Sequence, residues 1–192
     1  MVRQESIEEF YEFPEGIDFK LKDKVLTVKG PLGELTKDFS HARKIDMKVR
    51  GKLITFSATF PKRSEAALIN TLKAHAENMV QGVKNGPFII KMKIVYSHFP
   101  ITVKVEGDQI LVENFLGERA PRRAKMFGKY TKVEVDGDDV IVKSIDKEEA
   151  GQTSANIRRV CKIRKKDPRT FQDGIFQYQK LLNDKVLWNL KF

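Results

Sequence analysis

Apolar and polar positions alternate through most of the first half of the chain, and the alternation breaks into short runs. Ile17–Lys22, Val25–Lys29, Leu35–Phe39, Ile45–Arg50 and Leu53–Phe60 carry period-two or β-branched patterns and predict strands. Asp23-Lys24 and Gly51-Lys52 fall between runs, where tight turns belong. The period then lengthens. Leu68, Leu72, Ala76, Met79 and Val83 recur at helical spacing, with Ser64 placed to cap the start and Gly82 to stop the helix.

The second half repeats the plan. Phe88–Tyr96, Ile101–Glu106, Gln109–Glu113, Thr131–Asp136 and Asp139–Ser144 predict strands, and a helix follows. Asp146 and Glu149 form a capping-box pair at its start, and Ala150, Ser154, Ile157 and Cys161 share its inner face. The repeat is also visible residue by residue. Gly33-Glu34 recurs 84 positions later as Gly117-Glu118, the hairpin glycine Gly51 recurs 86 later as Gly137, and Glu65-Ala66 recurs 84 later as Glu149-Ala150. Three matches in one order at nearly constant offset indicate a duplicated domain. The fold class is therefore α+β, with two tandem similar domains, each an antiparallel sheet packed against one helix. The expected division is 1–84, 85–177 and a tail, 178–192, with the boundary in the turn-rich stretch Lys84-Asn85-Gly86-Pro87.

Composition narrows the function. With 192 residues and 41% apolar content the chain can build real cores. Its single Cys excludes an internal disulfide framework and a Cys-based zinc site. The start, MVRQESIEEFYEF, lacks the basic and apolar regions of a secretory signal, and no apolar run reaches the ~18 residues of a membrane span. A reducing cytoplasmic setting and no membrane partner are the expectation.

The net charge of +10 suits a polyanion. Residues 1–84 hold 15 Lys and Arg against 12 Asp and Glu, and residues 85–192 hold 21 against 14. The excess is concentrated. Segment 117–132 carries six cations against Glu118, and segment 157–170 carries seven against Asp167. Seven of these thirteen cations are Arg, whose fork matches phosphate oxygens and stacks on bases. The first segment reads as a flexible loop beside Gly117 and Gly128. The second leaves the helix and is stopped by Pro168, and its cations there also suit the helix dipole.

Catalytic chemistry is not visible. His41, His75 and His98 lack ligand-type neighbours at metal spacing, and Cys161 has no His partner. Glu148 and Glu149 fit the charge of a helix start, and Gly30-Pro31-Leu32-Gly33 fits a strand-joining turn without the Lys and Ser/Thr of a phosphate loop. No catalytic residue, metal, cofactor or small-molecule substrate is expected.

Four stretches carry a family resemblance: Val95-Tyr96-Ser97-His98-Phe99-Pro100, Glu113-Asn114-Phe115-Leu116-Gly117-Glu118-Arg119, Gly151-Gln152-Thr153-Ser154-Ala155-Asn156-Ile157, and Asp167-Pro168-Arg169-Thr170-Phe171-Gln172-Asp173-Gly174-Ile175. In this order they resemble the sixth universal family of large-subunit ribosomal proteins, the ninth in eukaryotic numbering, over roughly residues 10–177. The Gln-Thr-Ser-Ala-Asn-Ile and Phe-Gln-Asp-Gly-Ile forms, and the short Val49-Arg50-Gly51-Lys52 hairpin, resemble the archaeal version.

The resemblance implies two similar α+β domains and no catalytic activity. It implies a structural protein that binds large-subunit rRNA near the sarcin–ricin loop, at the base of the factor-recruiting stalk, beside neighbouring ribosomal proteins in cytoplasmic ribosomes. Gly117 would allow close backbone approach, and Arg119, Arg122, Arg123 and Lys125 would neutralise phosphates. Arg158, Lys162, Arg164, Lys165, Lys166 and Arg169 would meet rRNA from the helix end and the segment after it. Lys91 and Lys93 alternate with Met92 and Ile94, so they point away from the core, toward RNA or solvent. The ending Leu181–Phe192 is more apolar than the family usually shows, and is expected to dock on the body or on a neighbouring protein. The alternative to a resident ribosomal protein is a transient RNA-binding assembly factor.

Overall fold

The computed structural model describes residues 5–167 and 169–190; Met1–Gln4, Pro168 and Lys191-Phe192 lie outside them, and with them the expected stop at Pro168. The chain divides into two compact units, Met1–Gly86 and Pro87–Phe192.

In the first unit, β1 (Ser6–Glu12), β6 (Leu53–Thr59) and β5 (Asp46–Arg50) form one antiparallel sheet in the order β1-β6-β5. The strands β2 (Asp18–Lys22), β3 (Val25–Gly30) and β4 (Gly33–Asp38) form a second, in that order. The helix α1 (Arg63–Asn85) packs on strands of both. Period-two burial puts Leu26, Val28, Leu35, Ile54, Phe56 and Ala58 against Ile69, Leu72, Ala76, Met79 and Val83 of the helix. The helix differs from expectation at both ends. Its cap is Lys62, whose N–H donates to the Glu65 carboxylate at 2.7 Å, and it runs through Gly82 to a cap at Gly86. Gly82 is buried inside the helix rather than at its end. Ile69 is buried and Leu68 only half-buried, a small rotation of the expected stripe. Gly30-Pro31-Leu32-Gly33 is the β3–β4 turn, tied to the helix by Leu32 N–H donating to Val83 O at 3.2 Å.

The second unit repeats this arrangement. The strands β8 (Thr102–Glu106), β9 (Gln109–Glu113) and β10 (Arg122–Lys125) form a sheet in the order β10-β9-β8. The strands β7 (Phe88–Val95), β11 (Lys132–Asp136) and β12 (Asp139–Ser144) repeat the other sheet, and the helix α2 (Lys147–Val160) covers the core. The core holds Ile90, Met92, Ile110, Val112, Phe115, Val140, Val142, Ala150 and Ile157. What has no counterpart is a hairpin on the free side of β7. The strand β13 (Gly174–Leu182) pairs with β7 and with β14 (Lys185–Asn189), giving the order β11-β12-β7-β13-β14. Residue 178 lies in the middle of β13, so strand and expected tail are one element. No helix among the described residues is long and apolar enough to cross a membrane.

Candidate nucleic-acid interface

The two basic segments are about forty residues apart in sequence, and the fold brings them together. The strand β10 lies against the C-terminal half of α2. Arg122 makes the junction. Its Nε and Nη2 donate to the Glu118 carboxylate at 2.7 and 2.6 Å, and its Nη1 donates to Val160 O at 2.6 Å and Lys162 O at 3.2 Å. The guanidinium also lies 4.2 Å from the centre of the Phe115 ring. The paired hydrogen bond holds the Glu118 carboxyl below its ordinary range and raises Arg122. Arg122 is therefore a strut: four of its five N–H donors bond the protein's own oxygens, leaving one for the phosphate expected of it.

The end of β10 and the loop after it are likewise tied to α2. Asn156 Nδ2 donates to Lys125 O at 2.9 Å, and Phe127 N–H donates to Thr153 Oγ1 at 3.0 Å. The Glu149 carboxylate accepts from Tyr130 N–H at 3.3 Å, Thr131 Oγ1 at 3.5 Å and Ser144 Oγ at 3.0 Å. Glu149 thus ties the loop to the helix rather than closing a capping box. Asp146 caps α2 by accepting from Glu148 N–H at 2.8 Å, while its own N–H donates to Ser144 Oγ. Gly128 has φ +92°, and a Cβ there would overlap the Glu149 carboxyl. A third tie reaches β13, where Gln177 Nε2 donates to Ser154 Oγ at 2.6 Å.

On this frame the cations fall into groups. Arg119, Arg123, Lys125, Arg158, Lys162, Arg164 and Lys165 are exposed. Lys166 stands 4.5 Å above the Phe171 ring, and Arg169, 89% exposed, pairs with Asp167 at 3.2 Å. Lys91 and Lys93 do face away from the core, but that puts them on the sheet surface opposite α2, apart from the other cations; Lys93 pairs with Asp139 at 3.4 Å. The backbone of the loop before β10 is strained. Asn114 (φ +57°) and Leu116 (φ +52°) take left-handed conformations next to Gly117 (φ +76°), where a Cβ would press on the Phe99 ring. Arg159, counted in the charge run but not among the residues expected to meet rRNA, is exposed beside Arg158 at the same helix end.

Cys161 is buried, which pushes its thiol up to about 11, so thiolate is scarce at neutral pH. No group of His, Cys, Asp or Glu among the described residues could hold a metal ion.

The sequence matches the family described as ribosomal protein L6 twice, over residues 13–86 and 99–174, one match in each unit. The chain belongs to the ribosomal protein L6 family. Members of this family are structural, non-enzymatic components of the ribosome. The large ribosomal subunit protein uL6 of Methanobrevibacter smithii is 44% identical over 180 residues, covering 94% of this chain and 99% of that protein. Proteins of the same name from Aeropyrum pernix (42% identical, 94% and 98% covered) and Methanosphaera stadtmanae (44%, 94% and 97%) are similar over the same span. All three are archaeal, in keeping with the archaeal form of the motifs. The L6 motif Gln152–Ile157 emerges as a set of fastenings: Thr153, Ser154 and Asn156 each hydrogen-bond a different neighbouring element.

Proposed function

We propose that this protein is a structural constituent of the large ribosomal subunit whose second unit grips large-subunit rRNA, near the sarcin–ricin loop and the base of the factor-recruiting stalk. The reading is carried by one observation: two basic segments distant in sequence are fastened side by side by Arg122, leaving Arg119, Arg123, Lys125, Arg158, Lys162, Arg164 and Lys165 exposed around the junction. A rigid cationic surface suits folded RNA, recognised through its backbone and shape with few base contacts. Lys166 and Arg169 extend it, and Lys91 and Lys93 offer a separate, weaker contact on the far sheet face. Family membership supports the ribosomal setting, and with it a cytoplasmic location. Exposed apolar side chains on β14 support neighbouring ribosomal proteins as further partners.

The test is the salt dependence of binding to large-subunit rRNA. Each phosphate contact removed should lower the slope by about 0.7–0.9. Arg119→Ala with Arg123→Ala should lower it by about two contacts' worth. Arg122→Ala, a strut, should not add a third. An unchanged slope in the double variant would remove the loop from the interface.

A further inference from the structure

A cleft of about 870 Å³ opens in the second unit, between the C-terminal end of α2 and the start of β13. Arg158, Arg159 and Lys162 line one side, and no ion-pair partner is formed by any of them among the described residues. Ile163, Phe171 and Ile175 supply apolar lining. The helix dipole explains why cations stand at the last turn. It does not explain an apolar recess beside them. A duplex is too wide for a recess of this volume, which falls in the range that encloses a small organic molecule. Free guanidinium groups suit a phosphate, and an aromatic and aliphatic wall suits the flat face of a base.

We propose that this cleft receives a single unpaired RNA nucleotide, its base against Phe171 and Ile163 and its phosphates against Arg158, Arg159 and Lys162. The inference rests on the rRNA-binding reading and deepens it. The rigid cationic surface holds the RNA backbone, and the cleft adds one base taken out of the stack.

Two variants test it in the full-length chain. Ala155 lines the cleft from an exposed helix position, so Ala155→Trp fills the space without entering the core. Phe171→Leu keeps the wall apolar but removes the ring. Each is titrated with purified archaeal large-subunit rRNA, and a melting curve confirms its fold. Zero-length ultraviolet crosslinking then locates the attached nucleotide by mass spectrometry. The expected result is affinity lowered about tenfold in each variant, the size of one lost base–aromatic stack. The salt slope should be unchanged in Phe171→Leu and lower in Ala155→Trp, which also shuts out the nucleotide's phosphate, and a crosslink to the Phe171 peptide should appear in the wild type alone. If rRNA binds and neither variant changes affinity or crosslink, the cleft proposal is overturned and the rRNA reading survives. If the wild type does not bind rRNA at all, both fall.

Discussion

Arg122 donates to four oxygens of its own chain, and that arrangement separates architecture from binding at the level of one residue. Removing it leaves Glu118 and two carbonyls without their charged donor. Arg122→Ala should lower the unfolding free energy by about 1.5–3 kcal/mol, measured by denaturant titration. The same pair sets a pH dependence. Glu118 is held below its ordinary value of 4.5, chiefly by the Arg122 hydrogen bond and against the effect of burial. A depressed folded value means that this stabilisation is complete above 4.5 and is lost as pH falls through the lower folded value. Glu118→Gln should therefore lower stability at neutral pH and flatten its decline as pH falls below about 4.5. An equally steep decline would assign the acid sensitivity to other carboxylates. The sequence shows where Arg122 lies, but not that its guanidinium turns inward. Six neighbouring cations read alike in one dimension, and only the packing of α2 beside β10 singles one out.

The elements divide by how their signals arise. Strands with one buried face, such as β3 and β12, are legible because burial imposes alternation. Two strands are hidden by charge: β1 carries Glu8, Glu9 and Glu12, and β10 reads Arg122-Arg123-Ala124-Lys125. Both are edge strands, whose charge guards an open edge. The duplication could have found them, since β1 repeats as β7 and β4 as β10. The loop after β10 is legible only as glycine-rich. Its order comes from Thr153 and Glu149 on a helix that the sequence places about twenty residues away. Gly128→Ala tests that order. It combines a strained positive φ, worth about 1–2 kcal/mol, with a clash on Glu149, so thermal stability should fall clearly. An unaltered melting curve would show that the loop is loosely held. The β13–β14 hairpin makes the opposite point. Leu182 is buried while Val186, Leu187 and Trp188 of β14 stay exposed. Deleting Leu181–Phe192 should destabilise the second unit through the lost end of β13 and weaken ribosome incorporation through the lost apolar face. Unchanged behaviour in both assays would leave that segment without a role.

At the scale of the whole molecule, two copies of one plan have taken different characters. Each copy pairs two antiparallel sheets with one helix, and the offset of 84–86 residues between matching glycines already marks the duplication in one dimension. Residues 1–84 are close to neutral, while the later half concentrates thirteen cations in two segments. Charge counting locates those segments but cannot show that they meet, because their proximity depends on the turn from β9 into β10 and on where α2 ends. Joined, they make a surface suited to permanent residence on the large ribosomal subunit. Sedimentation of the tagged full-length protein from a cell lysate, at low and then high salt, puts that residence to the test. The protein should comigrate with large subunits and stay with them as salt rises. A light peak released by moderate salt would contradict residence and mark the protein as a transient RNA-binding assembly factor.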